Sequence, residues 1–280
     1  MELDCDGIPA VKPKIFDPDE AEQLRSRCQG SEAIVNAVKE TEKKVKAPRL
    51  YDLTTLQREA NRIYGMTAKQ TLDTAQSLYE KKLITYPRTD SQYLTEDMEQ
   101  TARNVVRQIY EKYQLTGPFD QPEQPDVKKV MNNSKVTDHH AIIPTMELAS
   151  CHLDELKSWE EKILFLIAVH TVMAMSKDHI YQETEIEVEC QGEIFKAKGK
   201  TVLQDGWKLF ENCFKNKDRM AIVDPDQEMK ERMPKVTQGQ TFYAVAAEKT
   251  EHFTSPPKPY SDVIFCERKE WIGIEERSSA

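Results

Sequence analysis

The sequence predicts an α+β chain in which a helical domain is inserted into a β-rich one. Two observations carry this. Residues 32–38 and 181–200 alternate apolar and polar side chains at the period of a strand, whereas residues 54–176 repeat their apolar positions at the helical period of 3.6. The strand-like segments also flank the helical stretch on both sides, in the order strand-rich, helical, strand-rich. At 280 residues the chain has room for one large domain or two small ones.

Taken in order, Glu32–Val38 reads as a strand, and the basic run Lys39–Arg49 reads as a solvated linker broken at Pro48, with a backbone-tracking nucleic-acid contact as the lesser alternative. Thr54 or Thr55 is placed to cap a helix through Tyr64, with Gly65 as its stop. Thr67 caps a second helix, with Ala68, Leu72, Ala75 and Tyr79 as its apolar stripe. Two short helices joined at Gly65-Met66 have the outline of a helix-turn-helix, a pairing that also serves plain packing. Leu83–Pro87 reads as a short buried strand, Thr95–Tyr113 as a helix with acids at its positive end, and Thr116–Asp126 as a loop. Leu153–Ser176 is apolar nearly all round in its second half, which predicts a central helix. Tyr181–Cys190 and Glu193–Lys200, joined at Gln191-Gly192, predict a β-hairpin, and Gln240–Ala247 a further strand. The expected boundaries are a β-rich domain over 1–48 and 179–253, a helical domain over 49–178, and a linker with an atypical tail over 254–280.

A net charge of −9, with 31% charged residues and a mean hydropathy of −0.68, describes a slightly polar globular chain and argues against a wholly basic nucleic-acid coat protein. A local basic groove remains compatible with it. Nine glycines argue against a repeated glycine-rich phosphate cradle. Gly199-Lys200-Thr201 mimics the end of a P-loop, but Ile194 stands where its first glycine is needed. Six scattered cysteines form no CxxC pair, so no zinc ribbon is encoded and reduced cytosolic thiols are expected. The longest apolar run, Ile163–Met175, is interrupted by His170 and is shorter than the ~20 residues of a membrane span. A cytoplasmic protein without membrane insertion is the expectation.

Chemistry concentrates in two segments. In the first, Gln76 and Glu80 stand at i and i+4 on one helix face, and Tyr86, Arg88, Asp90 and Ser91 follow in the string Leu-Ile-Thr-Tyr-Pro-Arg-Thr-Asp-Ser. A phenol is a weak nucleophile until a neighbouring cation favours its anion, and a guanidinium matches a phosphate as a bidentate fork. Tyr with a nearby Arg is therefore equipment for covalent attack on phosphorus; the bland alternative is a tyrosine at a strand end and an arginine in a surface ion pair. In the second, Asp138-His139-His140-Ala-Ile-Ile-Pro-Thr, adjacent histidines on extended chain face opposite ways, so one of them at most serves a given site.

Together these strings resemble the central region of type IA DNA topoisomerases from Ile15 to Ser261, and their YPRTDS and DHHAIIPT forms resemble the topoisomerase III branch. The resemblance implies that Tyr86 attacks a DNA strand and keeps a 5′-phosphotyrosine link while another strand passes. It also implies that Arg88 stabilises phenolate and phosphate, and that His139 binds phosphate. Gln76 and Glu80 match polar positions lining the cleft, and Asp90 and Ser91 complete the motif. Religation from a phosphotyrosine needs no ATP. The family's Mg²⁺ belongs to an N-terminal Toprim domain for which there is no room before Ile15, and Val263–Ala280 does not match the family. The expectation is a central fragment that binds DNA, preferentially single-stranded, and does not relax it alone; its partners would be the missing Toprim and C-terminal parts of the same enzyme. Two alternatives stand beside this. One is a DHH-type phosphoesterase using Asp4, Asp6, Asp138, His139 and His140 on Mn²⁺ or Mg²⁺. The other is a non-catalytic single-strand-binding module stacking bases on Tyr64, Tyr79 and Tyr93.

Overall fold

The computed structural model describes residues 1–12, 15–115, 125–211, 234–243 and 245–251. The expected linker and tail over 254–280 and most of the Thr116–Asp126 loop lie outside the described residues. The chain divides into two compact units. Among described residues, one comprises 1–45, 179–205 and 234–251, and the other 46–178 and 206–211.

The first unit is a seven-stranded antiparallel sheet of β1 (Glu2–Cys5), β2 (Ile8–Val11), β3 (Ala33–Val45), β4 (His179–Cys190), β5 (Glu193–Gln204), β6 (Thr241–Phe242) and β7 (Ala246–Glu248), in the order β6-β3-β4-β5-β2-β1-β7. Strands β1 (Glu2–Cys5) and β2 (Ile8–Val11) form a hairpin whose turn places Asp6 and Gly7 at positive φ, which glycine tolerates without a Cβ clash. Helix α1 (Pro18–Cys28) was not foreseen, although Asp17 caps it and Pro18 opens it. It packs Leu24 and Cys28 into the core beneath the sheet with Leu3, Ile8, Val35, Ile186, Val188 and Phe195.

Strand β3 runs from Ala33 to Val45, so the basic stretch after Lys39 is mostly strand where a linker was expected. The cause is pairing: β3 lies antiparallel to β4 (His179–Cys190) from Ala33↔Cys190 to Val45↔His179, setting Lys39 opposite Glu185. Opposite charges across a ladder favour it modestly and remove the need for a buried face. The hairpin of β4 with β5 (Glu193–Gln204) forms as expected through Gln191-Gly192. The expected single strand over Gln240–Ala247 is two short ones. Strand β6 (Thr241–Phe242) pairs with β3, and β7 (Ala246–Glu248) pairs with β1 at the far edge of the sheet.

The second unit is helical. Helix α2 (Leu53–Tyr64) is capped by Asp52, whose carboxylate accepts from Thr55 N–H at 2.7 Å, so the cap falls two residues before Thr54 and three before Thr55, the expected caps. Gly65 ends it at φ 68°. Helix α3 (Ala68–Glu80) has its Thr67 cap, but its buried stripe is Thr71, Ala75 and Leu78, while Tyr79 is 39% exposed. The stripe is thus rotated from the expected one, and Tyr79 is turned outward. Helix α4 (Glu99–Tyr113) follows a single 3-10 turn at Glu96–Met98. Helix α5 (Ser158–Ala174) is buried along most of its length and forms the centre of the unit's core; the short α6 (Lys208–Glu211) adds Phe210 to it.

Candidate active site

Helix α3 delivers the first segment. It ends at Glu80, and Lys82 turns the chain at φ 61° so that Leu83 and Ile84 bury. No strand forms over Leu83–Pro87; Ile84 makes a lone bridge to Pro144. Hydroxyls replace the ladder. Thr85 Oγ1 donates to Ala141 O at 2.9 Å and accepts from Ile143 N–H at 3.0 Å, while Thr85 N–H donates to Ile143 O at 3.0 Å. Further along, Thr89 Oγ1 donates to His139 O at 3.0 Å and accepts from Ser91 N–H at 3.1 Å. Ser91 Oγ donates to Lys135 O at 2.9 Å. Each bond runs between the tyrosine segment and the histidine segment or within one of them, and together they hold residues 135–145 alongside residues 83–93.

The result brings Tyr86 and His139 together. Tyr86 is half-buried, and its ring lies 4.3 Å from the His139 ring, tilted 44°. On its other side Tyr79 meets it edge to face at 5.4 Å. His139 is exposed, whereas the neighbouring His140 is half-buried with Nδ1 2.9 Å from Ala141 O. Gln76 Nε2 donates to Glu80 Oε1 at 3.2 Å on the same helix as Tyr79. Arg88 and Asp90 are exposed, and neither makes an ion pair among the described residues. Ser91 is only 4% exposed, so its hydroxyl fixes the loop from inside and does not face the surroundings. Thr85 and Thr89 were not singled out from sequence; Tyr79 was expected on the apolar stripe of its helix or as a base-stacking aromatic, not as the neighbour of Tyr86. The signal for the two threonines was present in the spacing of hydroxyls through Thr85, Thr89 and Ser91.

Among the described residues no group of three or more His, Cys, Asp or Glu side chains is placed to hold a metal ion. Asp4 spends its carboxylate on the β1–β2 turn, accepting from Gly7 N–H at 2.6 Å. No helix among them is long and apolar enough to cross a membrane.

The arrangement is a half-buried phenol flanked by an exposed imidazole, with an uncommitted guanidinium two residues on. Groups of these kinds can act on a phosphate, a phenol as nucleophile and a guanidinium as a fork-shaped partner for its oxygens. A family model described as DNA topoisomerase matches residues 9–267. The chain belongs to the DNA topoisomerase family, on its type IA branch. It is 36% identical over 271 residues to DNA topoisomerase 3 of Bacillus licheniformis, covering 94% of this chain and 35% of that one. It is also 36% identical over 267 residues to DNA topoisomerase 3 of Bacillus subtilis, covering 94% and 36%. The chain thus spans about a third of the length of these curated relatives. Among solved structures, full-length topoisomerase I from Thermotoga maritima superposes with a TM-score of 0.69 at 25% identity, over 98% of this chain and 43% of that one.

Proposed function

We propose that this chain is the strand-cleaving, tyrosine-bearing portion of a type IA DNA topoisomerase, with its helical unit inserted into the β-rich arch. Tyr86 Oη attacks a backbone phosphorus of a single DNA strand. The Oη–P bond forms, the P–O3′ bond breaks, the phenol proton is released, and the departing 3′ oxygen takes up a proton to become a hydroxyl. The 5′ end stays on Tyr86 until the 3′ hydroxyl attacks in return, so religation draws on the stored phosphodiester and needs no ATP. Arg88 and His139 serve the phosphate as charge-assisted donors, and Gln76, Glu80 and Asp90 line the cleft. The Mg²⁺ of the family is assigned to residues outside this chain, and strand passage needs those parts too.

The observation that carries this reading is the packing of the Tyr86 ring against His139, brought about by hydroxyl bonds between two segments some fifty residues apart in sequence. The test mixes the chain with a separately produced Toprim half, Mg²⁺ and a labelled single-stranded oligonucleotide. A covalent adduct that survives denaturation and is absent with Tyr86→Phe is expected, and the chain by itself should leave supercoiled plasmid unrelaxed. An adduct that persists in Tyr86→Phe would overturn the assignment.

A further inference from the structure

The helical unit carries a cavity of about 490 Å³ that none of Gln76, Glu80, Tyr86, Arg88 or His139 lines. Its size falls in the range of small-molecule sites, about 300–1,000 Å³. One wall is the face of α2 bearing Arg58, Glu59 and Arg62; the loop around Arg49, Gln92 and Trp207 supply others. Three guanidiniums thus meet two carboxylates, Glu59 and Glu211, and Glu59 is already held by Arg62 at 2.5 and 3.0 Å.

Arg49 is the uncommitted cation of this wall. Its side chain is exposed, makes no ion pair among the described residues, and passes over the Tyr93 ring at 5.4 Å. Its backbone, by contrast, is fixed. His170 Nε2 lies 2.7 Å from Arg49 O, and the His170 ring stacks on Tyr51 at 3.7 Å and 14°. Burial lowers the His170 pKa to about 4, so the ring is neutral near pH 7 and Nε2–H is the donor. The Tyr51 hydroxyl in the same wall is buried without a hydrogen-bond partner, the under-satisfied kind of atom that binding sites retain. The exposed Arg49 guanidinium on a rigid backbone, with Arg58, the Glu59-paired Arg62 and a half-buried indole in the same wall, is a set that takes a phosphate and an aromatic ring.

We propose that this cavity binds a nucleoside phosphate, with the phosphate on the arginines and the base against Trp207, and that its source is the single strand cut at Tyr86. The choice of a DNA strand as source rests on the Tyr86 reading; the nucleoside-phosphate chemistry does not. Gln92 stands six residues beyond Tyr86, a reach of at most about 20 Å of extended chain, or about six nucleotides at the 3.4 Å stacked spacing. A strand leaving the tyrosine can therefore reach the cavity without a long detour.

The experiment titrates the full chain with fluorescein-labelled oligothymidylate at several salt concentrations, and separately with thymidine monophosphate, comparing wild type, Arg49→Gln, Trp207→Ala and Arg88→Gln. Arg49→Gln should keep the wild-type thermal midpoint, because its side chain is exposed and makes no ion pair among the described residues. It should weaken oligonucleotide binding about tenfold and flatten the log–log salt slope by about 0.7. Trp207→Ala should weaken it by a similar or larger factor. If Arg49→Gln weakens only the mononucleotide, the ligand is a free nucleotide and the strand as source is overturned. If it changes neither probe while Arg88→Gln weakens the oligonucleotide, the cavity proposal falls and the Tyr86 reading stands. If the wild-type chain binds neither probe, both fall.

Discussion

Glu160, at the start of α5, is 3% exposed, and it receives Lys81 Nζ at 2.6 Å, Ser77 Oγ at 2.7 Å and the Lys157 N–H at 3.0 Å. Burial disfavours its charge, but the bonds from Lys81, Ser77 and Lys157 more than offset this and hold the carboxyl down to about 2. Lys81 sits at the end of α3, five residues before Tyr86, so this contact fixes the helix end from which the nucleophile hangs. The folded value lies below the ordinary 4.5, so the stabilisation is fully present above pH 4.5 and is lost as pH falls through about 2. Its size is about 3 kcal/mol on a scale of 1.36 kcal/mol per unit. Glu160→Gln should cost about 2–3 kcal/mol in urea unfolding at pH 7. The gap from wild type should narrow steadily as the titration is repeated from pH 4.5 downward; a gap independent of pH would show that packing, not charge, is what the residue provides.

At the scale of elements, the active-site loop is an assembly of two irregular segments with few ladder bonds, and its rigidity comes from side-chain hydroxyls. Thr89 is 7% exposed and carries two of these bonds, one of them to the carbonyl of His139 itself. Thr89→Val keeps the shape and leaves a half-buried carbonyl and a buried N–H short of a partner, a loss of about 1–3 kcal/mol. We expect adduct formation in the reconstituted mixture to fall at least tenfold with Thr89→Val and to recover in Thr89→Ser, which restores the hydroxyl. Recovery by serine separates positioning from bulk. The same scale shows what could be read from sequence. Thr67, Gly65 and Gln191-Gly192 announced α3, the end of α2 and the β4–β5 turn because each acts within a few residues of itself. The motif strings likewise put Tyr86 and His139 on one page. The extension of β3 through Lys39–Val45 was hidden because its cause lies in β4, about 140 residues away. The rotation of the α3 stripe was hidden too. Thr71 buries by donating to Thr67 O at 3.0 Å, while Tyr79 leaves the core to meet Tyr86, and apolarity alone ranks those two residues the other way.

At the scale of the whole molecule, the two units have separate cores. One, beneath the sheet, draws on residues 1–35 and 186–247; the other runs from Leu50 to Met175 with Phe210 added. A core that closes almost wholly within residues 46–178 should let that stretch fold by itself. We expect the excised 46–178 piece to show helical far-UV circular dichroism and one cooperative thermal transition, somewhat below that of the intact chain because Trp207 and Phe210 no longer cover its core. Its acid sensitivity should come along, with the His170 part somewhat reduced because Trp207 no longer helps to bury that ring. His170 has a folded pKa near 4 against an ordinary 6.5, so its contribution is complete above pH 6.5 and is lost as pH falls toward 4, ahead of the Glu160 loss below 4.5. Both residues and all their partners lie inside the excised stretch. The transition midpoint should therefore drop in two stages between pH 7 and pH 2, and His170→Phe, which keeps a ring against Tyr51, should remove the first stage and leave the second. A piece that is collapsed without a cooperative transition would mean that the helical unit depends on the strands for its order, and the Tyr86–His139 pairing would then have to be credited to the chain as a whole.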